Sequence, residues 1–136
     1  MVTDAKQRLE GFEDGELVWH GAPLRYAVGG EGPPLVLVHG LGGTVENWRA
    51  LAGRLGERHR VVVPDLPGHG HSAALREAPH VDALAEAVLT IAAAADADRA
   101  VWVGHSLGGL VALRAAALRP EAVRGVVLAA SAGIGS

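Results

Sequence analysis

The chain has 136 residues, 49% hydrophobic and 20% charged, a balance that fits one globular domain with a buried core and excludes a disordered chain. A net charge of −3 with no basic stripe excludes a nucleic-acid surface, and the lack of cysteine excludes disulfides and thiol chemistry. No apolar run is long enough to span a bilayer, and the charged residues 1–10 hold no signal-peptide core. The expectation is a cytoplasmic protein with no membrane contact.

Residues 1–15 read as a polar leader, with the folded core expected over residues 16–136. Two short strand-like runs, 16–20 and 24–28, are joined by Gly21, Ala22 and Pro23 as a hairpin. Residues 29–34 form a turn, and the continuous apolar run 35–38 fits a strand covered on both faces. Residues 45–56 carry Trp48, Leu51, Ala52 and Leu55 at helical spacing, with Thr44 as a cap and Trp48 and Leu51 as core. Residues 60–63 are the next strand, closed by Pro64, and residues 65–77 are a loop rich in glycine and proline. Pro79 fits the first turn of a helix whose inward face is Val81, Leu84, Val88, Ile91 and Ala92. A strand at 100–103, a helix from 107 to 119 stopped by Pro120, and a last buried strand at 125–130 complete the order. Strands alternating with helices predict an α/β fold: a mostly parallel sheet of about six strands with helices on both faces.

Ligands of such sheets bind beyond the carboxyl ends of the strands, where segments 39–43, 65–72 and 104–108 all fall. In the last of these, Gly104, Ser106 and Gly108 stand between a strand and a helix, the pattern of a nucleophile elbow. The glycines remove side chains that would clash at so sharp a turn. An ordinary turn serine is the bland alternative, and the strand–turn–helix context opposes it. A serine hydroxyl attacking an ester carbonyl creates an oxyanion that two backbone N–H groups can stabilise. Leu107 supplies one, because the first amides of a helix have no partner within it. Leu41 in the glycine-rich loop supplies the other, with Gly42 as the alternative. His39 and Gly40 shape that loop. His105 is a packing neighbour, because adjacent residues at a tight corner point apart. His69 and His71 are candidates for a locally recruited base, against the reading that they only shape their loop. Asp65 is expected to anchor that loop, and His20, His59 and His80 read as surface or turn residues. The seven histidines show no metal-ligand spacing, so neither a metal nor a cofactor is expected.

Taken together, the His39-Gly40 loop, the run Asp65-x-Pro67-Gly68-x-Gly70-x-Ser72 and the Gly104-x-Ser106-x-Gly108 corner resemble the amino-terminal half of the α/β-hydrolase superfamily, over about residues 16–131. The resemblance implies a serine esterase or lipase-like branch, with Ser106 as nucleophile, Leu41 and Leu107 as oxyanion amides and a small-molecule ester as substrate. It argues against the dehalogenase and epoxide-hydrolase branches, which place aspartate at the corner. It also implies an incomplete α/β-hydrolase fold lacking the carboxyl-terminal strands and any cap. In the family the acid and the histidine follow the nucleophile, yet no histidine follows Ser106 and Glu121 is the one later carboxylate. Loss of the base from a serine triad costs on the order of 10⁶ in kcat, near 8 kcal/mol, so an isolated monomer should be nearly inactive. Strand 125–130 would become an apolar edge, and leaving Val126, Val127 and Leu128 poorly covered forfeits about 1.5–3 kcal/mol each. A homodimer, or a complementing carboxyl-terminal half seated on that edge, is the expected partner. The expected function is therefore a serine hydrolase completed by a partner. The alternatives are a catalytically silent module or binding scaffold, and non-hydrolytic chemistry such as a perhydrolase or lyase.

Overall fold

The structure is a computed structural model that describes residues 9–40, 43, 48–69, 72–74 and 80–129. Leu41, Gly42, Thr44, His71 and Pro79 lie outside these residues, so the expectations placed on them do too.

Six strands form one sheet: β1 (Glu13–Trp19), β2 (Ala22–Gly29), β3 (Pro34–Val38), β4 (Arg60–Pro64), β5 (Ala100–His105) and β6 (Val123–Ala129), in the order β1-β2-β4-β3-β5-β6. From β4 to β6 all pairs are parallel, while β1, β2 and β4 pair antiparallel. Alternation along the central strands builds the two layers. Leu35, Leu37, Val61 and Val63 pack with Trp48 and with Ala52 of α1 (Arg49–Leu55). Val36, Val38, Val62 and Trp102 pack with α2 (Val81–Ala94) and α3 (Leu107–Leu118) on the other face. Burial on both sides is why β3 and β4 read as unbroken apolar runs. The mostly parallel six-strand sheet with helices on both faces is thus as the sequence predicts.

Several local expectations are corrected. The polar leader does not extend to residue 15. Leu9 is buried against the α1 layer, and β1 already begins at Glu13. Its first residues look like leader because an edge strand turns polar groups outward; Asp14 pairs with Arg25 of β2 at 2.9 Å. The hairpin turns at His20 and Gly21, whose φ angles of 50° and 80° match the twist of the flanking strands, so Ala22 and Pro23 belong to β2. Leu51 is not core: Trp48 and Ala52 form the inward stripe and leave it 40% exposed. His80 does more than occupy the surface, since its Nδ1 accepts the Ala83 N–H and caps α2. Pro120 ends the helix but starts a short 3-10 turn, Pro120–Ala122, that feeds β6 from Val123. The last strand begins earlier than expected, and β6 lies at the edge of the described sheet as the apolar border that the sequence predicts, with Val127 51% and Leu128 57% exposed.

Candidate active site

The parallel strands β3, β4 and β5 deliver His39, Asp65 and Ser106 to the same end of the sheet. Ser106 sits between β5 and α3 with φ 59° and ψ −122°, a conformation that costs a residue bearing a Cβ about 1–3 kcal/mol and must be imposed by its surroundings. The surroundings are visible in the glycines. A Cβ on Gly104 would strike the Gly108 carbonyl and lie 2.6 Å from the Gly109 Cα. On Gly108 it would strike the Val38 carbonyl oxygen and lie 2.6 Å from that of His39. The start of α3 is therefore pressed directly onto the ends of β3 and β5, and the corner cannot relax. Ser106 is exposed, its side chain does not cap the helix, and its carbonyl accepts the Gly109 N–H at 2.8 Å. Leu107 opens α3, where amides lack a partner within the helix.

Gly40 brings the loop after β3 against this corner. A Cβ there would lie 3.0 Å from the Ser106 Cβ and 3.3 Å from Nδ1 of His105, so His105 lies against that loop. His39 is fully buried; its Nδ1–H donates to the Gly40 carbonyl at 2.7 Å and its Nε2 accepts the Leu66 N–H at 3.0 Å. Burial holds the His39 imidazole below its usual value. The Gly40 carbonyl and the charge of Asp65 oppose that shift, and His69 reinforces it.

The loop after β4 is stapled to β2. Ser72 Oγ donates to the Asp65 carbonyl at 2.7 Å and accepts the Arg25 N–H at 2.7 Å, while the Asp65 N–H donates to the Arg25 carbonyl at 2.9 Å. Asp65 thus anchors its loop through its backbone. Ser72 was visible in the sequence only as the end of a motif, with no sign of the bonds it makes. His69 lies with Nδ1 3.1 Å from the Pro67 carbonyl and its ring 5.1 Å from that of His39. Among the described residues, no hydrogen bond joins Ser106 Oγ to a histidine, and no three His, Cys, Asp or Glu side chains converge as metal ligands.

Ser106 opens on a concavity of about 140 Å³ lined by Gly104, Gly109, Leu110, Leu113, Leu128 and Ala129. A second hollow of about 300 Å³ continues along α3 past Val81, Arg114 and Ala117. Leu110 and Leu113 are 59% and 46% exposed, so with Leu128 they form an uncovered apolar trough beginning at the serine. No helix among the described residues is long and apolar enough to cross a membrane.

A family model described as alpha/beta hydrolase fold matches residues 33–135. The chain is 45% identical over 111 residues to the dihydrolipoyllysine-residue acetyltransferase component of the acetoin cleaving system of Pseudomonas putida, covering 81% of this chain and 30% of that protein. It is 43% identical over 108 residues to the pimeloyl-[acyl-carrier protein] methyl ester esterase of Vibrio cholerae, covering 79% of this chain and 40% of that protein. Among solved structures, a candidate epoxide hydrolase from Pseudomonas aeruginosa superposes with a TM-score of 0.82 at 38% identity, over 90% of this chain and 42% of that one. The chain therefore spans about 30–40% of the length of the curated relatives it matches.

Proposed function

Because the chain belongs to the α/β-hydrolase family, we propose that it carries the nucleophile half of a serine hydrolase of the carboxylesterase type, with Ser106 as nucleophile. The observation that carries this reading is the strained, exposed Ser106 held at φ 59° by Gly104 and Gly108. A hydroxyl that is not spent on capping its own helix, beside an amide terminus, has the disposition that acyl transfer needs.

In the proposed reaction Ser106 Oγ attacks the carbonyl carbon of a small-molecule ester while a base takes its proton. The carbonyl oxygen gains negative charge and is met by the amides of Leu107 and of Leu41 or Gly42. Collapse of the tetrahedral species expels the alcohol, which receives the proton from the base, and leaves an acyl-serine. Water, deprotonated by the same base, then releases the acid and restores Oγ–H. Kinship with relatives named methyl ester esterases supports the ester as substrate class. The likeness to a candidate epoxide hydrolase supports the fold, while the serine at the corner favours acyl transfer over the aspartate chemistry of that branch.

No histidine follows Ser106 in the sequence. The uncovered apolar trough of α3 and the open side of β6, which adjoin Ser106, support a seat there for the segment that brings the acid and base, whether a partner chain or the carboxyl-terminal half of the fold. The test is labelling by a fluorophosphonate. The chain alone should be labelled only slowly, much faster when a segment carrying acid and base is supplied, and Ser106→Ala not at all. Labelling that persists in Ser106→Ala overturns the assignment of the nucleophile. A second reading, a silent module held as a homodimer, draws on the same uncovered apolar edge. An unlabelled chain that runs as a dimer in size-exclusion with light scattering would favour it.

A further inference from the structure

The bonds of His39 fix the position of its proton. Nδ1 faces the Gly40 carbonyl, an acceptor, so Nδ1 carries hydrogen; Nε2 faces the Leu66 N–H, a donor, so Nε2 is bare. The Gly40 carbonyl also receives the Gly43 N–H at 2.9 Å, and the Leu66 carbonyl receives the His69 N–H at 2.8 Å. One buried ring thus ties the loop leaving β3 to the loop leaving β4, across 27 residues of sequence. The first of these loops touches Ser106 through Gly40, where a Cβ would come within 3.0 Å of the serine Cβ.

We propose that neutral, Nδ1-protonated His39 is a positioning residue, a clasp that holds both loops in register beside Ser106 and opens when Nε2 takes a proton from solvent. Its consequence for reactivity rests on the reading of Ser106 as nucleophile; the clasp itself does not. A proton on Nε2 would set N–H against N–H at Leu66, so that bond cannot survive it. Three other titratable groups face the assembly. Asp65 favours the added proton, His69 opposes it from 5.1 Å, and His105 lies on the far side of Gly40. Burial of the ring also opposes the proton and keeps the clasp closed at neutral pH.

The experiment is long-range proton–nitrogen spectroscopy of the imidazoles in the full chain from pH 7.5 to 5, with amide hydrogen exchange at Leu66. His39 should show the neutral Nδ1–H pattern and keep it below the pH at which a free imidazole is half protonated, about 6.5. Leu66 exchange should be slow, and roughly tenfold faster in His39→Phe, which removes one buried hydrogen bond. It should be partly restored in His39→Gln, whose amide oxygen can accept. The Ser106 amide resonance should shift in His39→Phe, reporting the coupling without any activity. An Nε2–H tautomer, or Leu66 exchange unchanged in His39→Phe, overturns the clasp. An unmoved Ser106 amide overturns its positioning role. If His39→Phe does not fold, the wild-type tautomer and the fall in Leu66 protection as His39 titrates decide the matter. A chain that shows the clasp but no fluorophosphonate labelling, even with a segment carrying acid and base supplied, counts against the hydrolase reading alone.

Discussion

Ser106 keeps its unfavourable backbone angles because Gly104 and Gly108 let α3 lie against two strand ends, so those glycines bear on the corner as directly as the serine does. Gly108→Ala should lower stability by about 1–3 kcal/mol through overpacking against the Val38 carbonyl, read as a shift in urea midpoint. Gly53→Ala offers the opposite case. It lies in α1 with no atom within 4 Å of its would-be Cβ, so the substitution should raise stability by about 0.5–1 kcal/mol. His39 predicts a pH dependence. Its folded value lies below that of the unfolded chain, so the unfolded state binds the proton first as pH falls. Its contribution is complete above about pH 6.5 and is lost as pH descends toward the lowered folded value. Thermal midpoints should fall over that window in the wild type, and less so in His39→Gln. At this scale the corner was legible because Gly104, Ser106 and Gly108 are neighbours in sequence. The His39–Leu66 and Ser72–Arg25 bonds join residues 27 and 47 positions apart, and no local pattern announces them.

Among the described elements, β6 and α3 are the two that each leave a pair of large apolar side chains uncovered. Val127 and Leu128 on β6 and Leu110 and Leu113 on α3 are all more than 45% exposed, whereas β3 and β4 are almost entirely enclosed. Replacing Val127 and Leu128 together by lysine should change folding stability by no more than about 0.5 kcal/mol per site, as for other surface positions. The same double variant should abolish any self-association seen by light scattering. A large loss of stability in dilute monomer would mean that the strand is covered in solution. Elements enclosed on both sides were legible from sequence because nothing but apolar residues can occupy them. Those at the margins were misread for the converse reason. Glu13, Asp14 and Gly15 look like leader although they pair along β2, and Pro23 looks like a turn although it sits opposite Val18 in a strand. Leu51 fits the helical spacing, yet α1 is short and only one stripe of it meets the sheet.

For the molecule as a whole, the alternation of strand and helix announced the layered architecture, but not that β4 lies between β2 and β3 or that β2 joins it antiparallel. Such pairings are settled by which faces can be enclosed together, information spread over the entire chain. The two lateral limits of the described sheet differ in charge, with carboxylates on β1 and none on β6. On one flank β1 exposes Glu13 and Glu16 together with Val18, and on the other β6 exposes Val127 and Leu128. If two copies met along β6 about a twofold axis, their β1 strands would be left as the outer borders, with Glu13, Glu16 and Val18 exposed. Stacking of β1 on β6 would instead bring Glu13 and Glu16 against Val127 and Leu128 and draw carboxylates away from water.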